Sequence, residues 1–340
     1  MTTTTILCGD CREKLKELPE ASVQMCVTSP PYYSIRCYGG GQLEIGLEHA
    51  PQEYIHNLVD VFREVRRVLS DDGTLWLNIG DNYVAGTTGN SIGQESSTLQ
   101  GGKQAQIEAA KRPAKKAGNG LKEKDLIGIP WMLAFALRDD GWYLRQDIIW
   151  AKKNCMPESV KDRCTQSHEH IFLMSKKPRY YFDHEAMQEP AIYPEASKNS
   201  NNSTRYGGKK YTESHEKFYR TKSGNAYQYT GKRNKRDVWS IATVPFSGAH
   251  FATFPEALVE PCILAGSRPG DTVLDPFSGA GTTGVVCARL GRDYLGIELN
   301  PDYVEMAEHR IADVKLELEY GIDAEKSRRN REPEEQVRFW

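Results

Sequence analysis

Apolar residues along this chain fall into short β-prone runs that alternate with helical stripes. Residues 4–8 read as a strand, 12–18 as a helix and 22–27 as a second strand, which ends at Thr28-Ser29-Pro30-Pro31-Tyr32. Between positions 54 and 69 the residues Leu58, Val61, Phe62, Val65, Val68 and Leu69 share one helical face, and Asp72-Gly73 then turns the chain into a strand over 74–79. The pattern continues with a helix near 126–137, a strand near 143–150 and a short strand at 170–174. After Phe254 it predicts a helix to about 265, a strand at 271–274, a helix at 282–290, a strand at 293–297 and a helix from Pro301 to about 318. Such alternation predicts an α/β fold built on a largely parallel sheet.

Two stretches break the alternation. Residues 85–124, rich in Gly, Ser, Thr, Gln and Lys, hold too few large apolar side chains to offset the entropy of ordering them and are expected to form a mobile loop. Between Ser197 and Arg236 there are eleven Lys or Arg against two Glu, with six Tyr or Phe interleaved. A solvated insertion would account for the polarity. The interleaved aromatics favour a nucleic-acid contact surface, with Arg205, Lys209, Lys210, Arg220, Lys232 and Arg233 as candidate contacts. From about residue 323 the chain reads as a charged tail.

Composition narrows the class. With 340 residues, one large α/β domain with an insertion or two ordinary domains can form a core without staples. A net charge of −2 argues against uniform coating of nucleic acid, so the local basic block matters more than the sum. No apolar run approaches the roughly 20 residues of a membrane helix, and the N-terminal residues lack signal-peptide character, so a cytoplasmic protein without membrane contact is expected. Eight irregularly spaced cysteines fit reduced thiols, and no second pair complements Cys8 and Cys11 at zinc spacing, so no metal is expected.

Two motifs carry candidate chemistry, each at a predicted strand end. In Asp275-Pro276-Phe277-Ser278-Gly279-Ala280-Gly281-Thr282-Thr283-Gly284, Gly279 and Gly281 permit a tight turn and close approach of a ligand, and Gly284 permits close packing of helix on sheet. The spacing alone would equally announce a dinucleotide site. The intervening carboxylate of Asp275 disfavours a phosphate and suits a cationic ligand such as S-adenosylmethionine. Glu298, at the end of the next strand, is placed to accept from ribose hydroxyls. In Ser29-Pro30-Pro31-Tyr32 the prolines remove two backbone donors and leave an acceptor-only wall. Ser29 Oγ and the Pro30 carbonyl could then accept both hydrogens of an exocyclic amino group, exposing its lone pair, while Tyr32 stacks on an extruded base. A proline-rich turn with a core tyrosine is the alternative for this segment taken alone.

Together the two motifs resemble those of the amino-methyltransferase family of DNA methyltransferases, in the β-group order with the catalytic motif first. That resemblance implies a circularly permuted, Rossmann-like S-adenosylmethionine-dependent methyltransferase sheet with an inserted target-recognition region. It divides the chain into a catalytic half at 1–185, the basic insertion at 186–237, a cofactor-binding half at 238–322 and the tail at 323–340. It implies catalytic roles for Ser29, Pro30, Pro31 and Tyr32, and cofactor contacts by Asp10, Cys11, Phe251, Asp275, Phe277, Ser278, Gly279, Gly281, Thr282, Thr283, Glu298 and Asn300. Serine as the first residue of the motif, and Arg36-Cys37-Tyr38-Gly39 downstream, resemble the cytosine-N4 type, with Arg36 a further DNA contact. Adenine N6 is the alternative target; an NAD-dependent oxidoreductase and an RNA or protein methyltransferase are more distant ones. Double-stranded DNA is the expected partner, a separately acting restriction endonuclease fits the same context, and the chain would be a monomer or homodimer.

Overall fold

The computed structural model describes residues 2–35, 41–84, 120–190, 219–220, 226–227, 232–244 and 254–321. Contacts divide the chain into two units, one comprising Met1–Phe182 with Asp237–Trp340 and the other Asp183–Arg236.

The first unit is built on an eight-stranded sheet whose strands are β1 (Thr4–Cys8), β2 (Val23–Thr28), β3 (Leu69–Ile79), β4 (Tyr143–Lys152), β5 (His168–Ser175), β10 (Val238–Ile241), β11 (Thr272–Asp275) and β12 (Asp293–Glu298). Their order is β1-β12-β11-β2-β3-β5-β4-β10. The run from β1 to β3 is parallel, β5 is antiparallel to both its neighbours, and β10 is parallel to β4. From β11 the chain winds outward to β12, whereas β2 lies on the other side of β11 and winds outward to β3. The β11/β2 boundary is therefore the topological switch point, where strand carboxyl ends leave a crevice for ligands. The last two core strands in sequence thus complete a sheet begun by the first two, which is the circularly permuted arrangement.

Helices cover both faces. On one, α1 (Cys11–Lys14), α2 (Pro51–Val68) and α3 (Ile129–Asp139) pack together; on the other lie α4 (Glu256–Gly266), α5 (Thr282–Leu290) and α6 (Pro301–Tyr320). Pro51 opens α2 at a position where its missing N–H costs nothing, and Leu58, Val61, Phe62, Val65 and Val68 are fully buried, the face its sequence pattern predicts. Each such side chain contributes about 1.5–3 kcal/mol of transfer free energy. Strand β3 is buried on both sides because Leu75 and Leu77 meet the α1–α3 layer while Thr74 approaches Gly266 of α4.

Most predicted elements form, with shifted ends. The first helix is short, continuing from Lys14 into a 3-10 turn over Leu15–Glu17. Pairing between β2 and β3 jumps from Val23–Leu69 to Met25–Thr74, so 70–73 bulge out and Gly73 fits where a Cβ would meet the Gln24 and Ser70 carbonyls at 2.9 Å. Strand β10 carries no apolar alternation that announces it. Of the loop expected over 85–124, residues 85–119 lie outside the described residues.

In the second unit, β6 (Gln188–Pro190) pairs antiparallel with β9 (Lys232–Asn234), and β7 (Tyr219–Arg220) with β8 (Ala226–Tyr227). Among the described residues no helix is long and apolar enough to cross a membrane.

Candidate active site

The two motifs lie at adjacent strand ends and are joined by a buried carboxylate. Asp275, the last residue of β11, accepts from Thr28 Oγ1 at the end of β2 (2.6 Å), from Thr283 Oγ1 in α5 (2.7 Å) and from the Phe277 amide (3.1 Å). Burial pushes its carboxyl up to about 6, against the pull of those three donors. Asp275 is inaccessible to solvent and is not among the residues that line the cavity; it ties the Ser-Pro-Pro-Tyr segment to the glycine loop.

Above this junction opens a cavity of about 620 Å³. One half of its wall comes from the ends of β1, β11 and β12 and includes Asp10, Phe277, Gly279 and Glu298. The other comes from β2, β3, β4 and β5 and includes Ser29, Tyr32, Asn78, Lys152 and Glu169. Pro30, Pro31, Cys11, Ser278, Thr282 and Asn300 also line it, whereas Gly281 and Thr283 do not. Gly281 holds a left-handed backbone with φ 74°, and a Cβ there would meet Ala307 Cβ of α6 at 2.7 Å, so this glycine is required by packing of helix on loop. Phe251 and Arg36 lie outside the described residues.

In the first half, Glu298 accepts from the amides of Gly279 (2.8 Å) and Asn300 (2.9 Å), which aim its carboxylate, and burial raises its pKa. Asn300 Oδ1 caps α6 by accepting from Asp302 N at 2.9 Å. Asp10 caps α1 by accepting from Arg12 N and forms a fork with the Arg12 guanidinium, whose closest contact is 2.6 Å. Burial works against its charge, but these bonds outweigh it and hold the carboxyl below the usual range. Burial pushes the Cys11 thiol up to about 12, which leaves it an unreactive wall. Ser278 Oγ is bonded to Tyr294 Oη at 2.8 Å.

The second half contains a group of residues that the sequence pattern does not single out. Tyr32 Oη donates to Glu169 Oε2 at 2.5 Å, and Lys152 Nζ pairs with the other oxygen of the same carboxylate. Asn78 Nδ2 donates to Glu169 Oε2 at 3.2 Å and to the His170 carbonyl. Lys152 also lies 4.9 Å from the Trp150 ring centroid. Gly80 gives this cluster room, since a Cβ there would come within 2.8 Å of Tyr32 Cε2. Tyr54 Oη donates to the Pro31 carbonyl at 2.8 Å, so that acceptor is already engaged. Tyr32 and Glu169 are 137 positions apart, and the pairing of β2 with β3 and of β3 with β5 brings them together.

Of the basic-block candidates, Arg205, Lys209 and Lys210 fall outside the described residues. Arg220 lies on β7. In β9, Lys232 is exposed, while Arg233 is half-buried and its Nε pairs with Glu189 at 2.8 Å.

Comparison with known proteins agrees with this architecture. The chain is 47% identical over 307 residues to the type II methyltransferase M.Cfr9I of Citrobacter freundii, covering 90% of this chain and 87% of that one. It is likewise 47% identical to M.SmaI of Serratia marcescens, covering 90% of both. Among solved structures, PvuII DNA methyltransferase (cytosine-N4-specific) superposes with a TM-score of 0.58 at 18% identity, covering 95% of this chain and 94% of the other. A putative DNA modification methylase of Thermus thermophilus, complexed with S-adenosyl-L-methionine, superposes at 0.55 with 24% identity over 92% and 96%. The model of the DNA methylases acting at N6 or N4 matches residues 23–309, a span that takes in both motifs and the sheet between them, and the chain belongs to that N6/N4 DNA methylase family.

Proposed function

We propose that this type II DNA methyltransferase transfers the methyl group of S-adenosylmethionine to N4 of cytosine in double-stranded DNA, acting on a base extruded from the duplex. The observation that carries the reading is the cavity that Ser29-Pro30-Pro31-Tyr32 shares with the glycine loop, the two being fixed by Thr28 and Asp275.

The residues present fit that cofactor better than a dinucleotide. Among the described lining residues, the carboxylates Asp10, Glu158 and Glu169 are ion-paired with Arg12, Arg163 and Lys152, while Glu44 and Glu298 add acidic groups to a wall whose one lining cation is Lys152. Such a wall repels a pyrophosphate and tolerates a sulfonium and an ammonium. Glu298 accepts backbone amides at both oxygens and, as an acceptor-only group with about four lone-pair sites, has capacity left for a ribose hydroxyl. Asp10 is ionised and can accept from the adenine amino group, while Phe277, Leu299 and Tyr303 supply apolar surface. When bound, the cofactor supplies an electrophilic methyl group.

The chain's own part is positional. Ser29 Oγ and the Pro30 carbonyl accept from the base amino group and draw the nitrogen toward tetrahedral geometry, and Tyr32 offers its ring face to the base. Serine in this place, rather than Asp or Asn, supports cytosine N4 over adenine N6. Basic residues of the 186–237 insertion, with Arg36, would contact the duplex.

The test is nucleoside mass spectrometry on unmethylated DNA incubated with protein and S-adenosylmethionine. N4-methylcytosine is the expected product. N6-methyladenine alone would overturn the cytosine assignment and the argument from Ser29.

A further inference from the structure

We propose that Glu169, with Lys152 as its counter-ion, is a positioning residue that acts through the Tyr32 hydroxyl to turn Ser29 Oγ into a hydrogen-bond acceptor. The inference deepens the reading of Ser29 as the group that receives an amino hydrogen, and rests on it.

A serine hydroxyl has one proton and two lone pairs, and its acceptor capacity faces a ligand only when the proton is directed elsewhere. In this cavity Ser29 Oγ donates to Tyr32 Oη over a long 3.4 Å contact, of the kind that tightens when a substrate closes the site. The phenol oxygen accepts that bond only when its own proton points away from Ser29. Two acceptors compete for it, Glu169 Oε2 at 2.5 Å and Asn78 Oδ1 at 3.1 Å. The shorter bond, to the charged group, prevails. Glu169 is then held in place by Lys152 on its other oxygen and by Asn78 Nδ2.

The result is a chain running one way, from the Ser29 hydroxyl to the Tyr32 hydroxyl to the Glu169 carboxylate. Each bond polarises the one before it, and the far end is anchored by an ion pair whose side chains are only 23% and 11% exposed. No proton has to leave the serine. The chain orients an existing hydrogen and raises the electron density that Ser29 Oγ offers to the amino group. It also assigns the Tyr32 hydroxyl a purpose that ring stacking alone does not give it, and it accounts for Gly80, whose missing side chain leaves room for both the Tyr32 ring and the Glu169 carboxyl.

The test is a double-mutant cycle on the full chain, reading single-turnover incorporation of labelled methyl into unmethylated genomic DNA, whichever nitrogen receives it. Glu169→Gln and Tyr32→Phe should each lower the rate constant about tenfold, with the dissociation constant for S-adenosylmethionine within about twofold of wild type. Combining them should cost less than about twofold beyond Tyr32→Phe alone, because the carboxylate acts through the hydroxyl already removed. Lys152→Gln, which leaves the carboxylate in place, is a second probe read in the same cycle should Glu169→Gln lose cofactor binding. A Glu169→Gln effect undiminished in the Tyr32→Phe background, or a wild-type rate in Glu169→Gln, would overturn the proposal. A wild-type protein that transfers no methyl to DNA would instead refute the function on which it rests.

Discussion

Asp275 and Ser29 show how differently two polar side chains at adjacent strand ends are used. Asp275 is withdrawn from solvent and its oxygens serve Thr28, Thr283 and the loop backbone, so its charge costs stability while its geometry joins the motifs. Its folded pKa, about 6, lies above the 3.8 of an ordinary aspartate. The folded state therefore binds the proton more tightly, the stability this group lends is fully present below pH 3.8, and it is lost as pH rises through 6. Relative to Asp275→Asn, the wild type should lose on the order of 3 kcal/mol between about pH 3.5 and about pH 7 in urea-unfolding experiments. An equal pH dependence in the two proteins would show that the aspartate is ionised at no cost. Ser29 instead lines the cavity, and its proposed role is chemical. Ser29→Ala should slow single-turnover methyl transfer by about 10- to 100-fold while titration calorimetry finds cofactor affinity within about twofold, the signature of an interaction made in the transition state.

At the scale of elements, the glycine-rich turn owes as much to helix packing as to ligand approach. Gly279 has an open left-handed turn, but Gly281 lies against Ala307 of α6, and a Cβ on Gly284 of α5 would fall 2.3 Å from Ile311 Cδ1 and 2.7 Å from the Tyr294 ring. Arg310 of α6 reinforces the same junction by donating to the Ala280 carbonyl. Gly284→Ala should accordingly destabilise the fold by about 1–3 kcal/mol through overpacking, a shift that urea unfolding would detect. Unchanged stability would mean that α5 can move away from β12 without cost. The packing role of Gly284 was legible in the sequence, because a glycine tolerated inside a predicted helix that directly follows a strand-end turn marks a close approach of that helix to its sheet. That of Gly281 was not, since Ala307 reaches it from the helix after the next strand.

Across the whole molecule, charge is segregated rather than large, with the net −2 concealing a strongly basic stretch between 197 and 236. If that stretch holds DNA phosphates, the triple variant Lys209→Gln, Lys210→Gln, Lys232→Gln should bind DNA more weakly. The slope of log affinity against log salt should fall by up to about 2.7, at roughly 0.9 per phosphate contact, with cofactor affinity intact. An unchanged slope would remove those three lysines from the interface. The sequence by itself determined the α/β alternation, the buried stripe of α2, the two strand-end motifs and their order, because each is a local matter of periodicity, turn chemistry or neighbouring residues. Only the tertiary structure decided the order of strands, the antiparallel insertion of β5 and the company kept by Tyr32. Residues 137 positions apart meet through sheet pairing, and which distant strand lies beside a given one is not written in either strand's own local pattern.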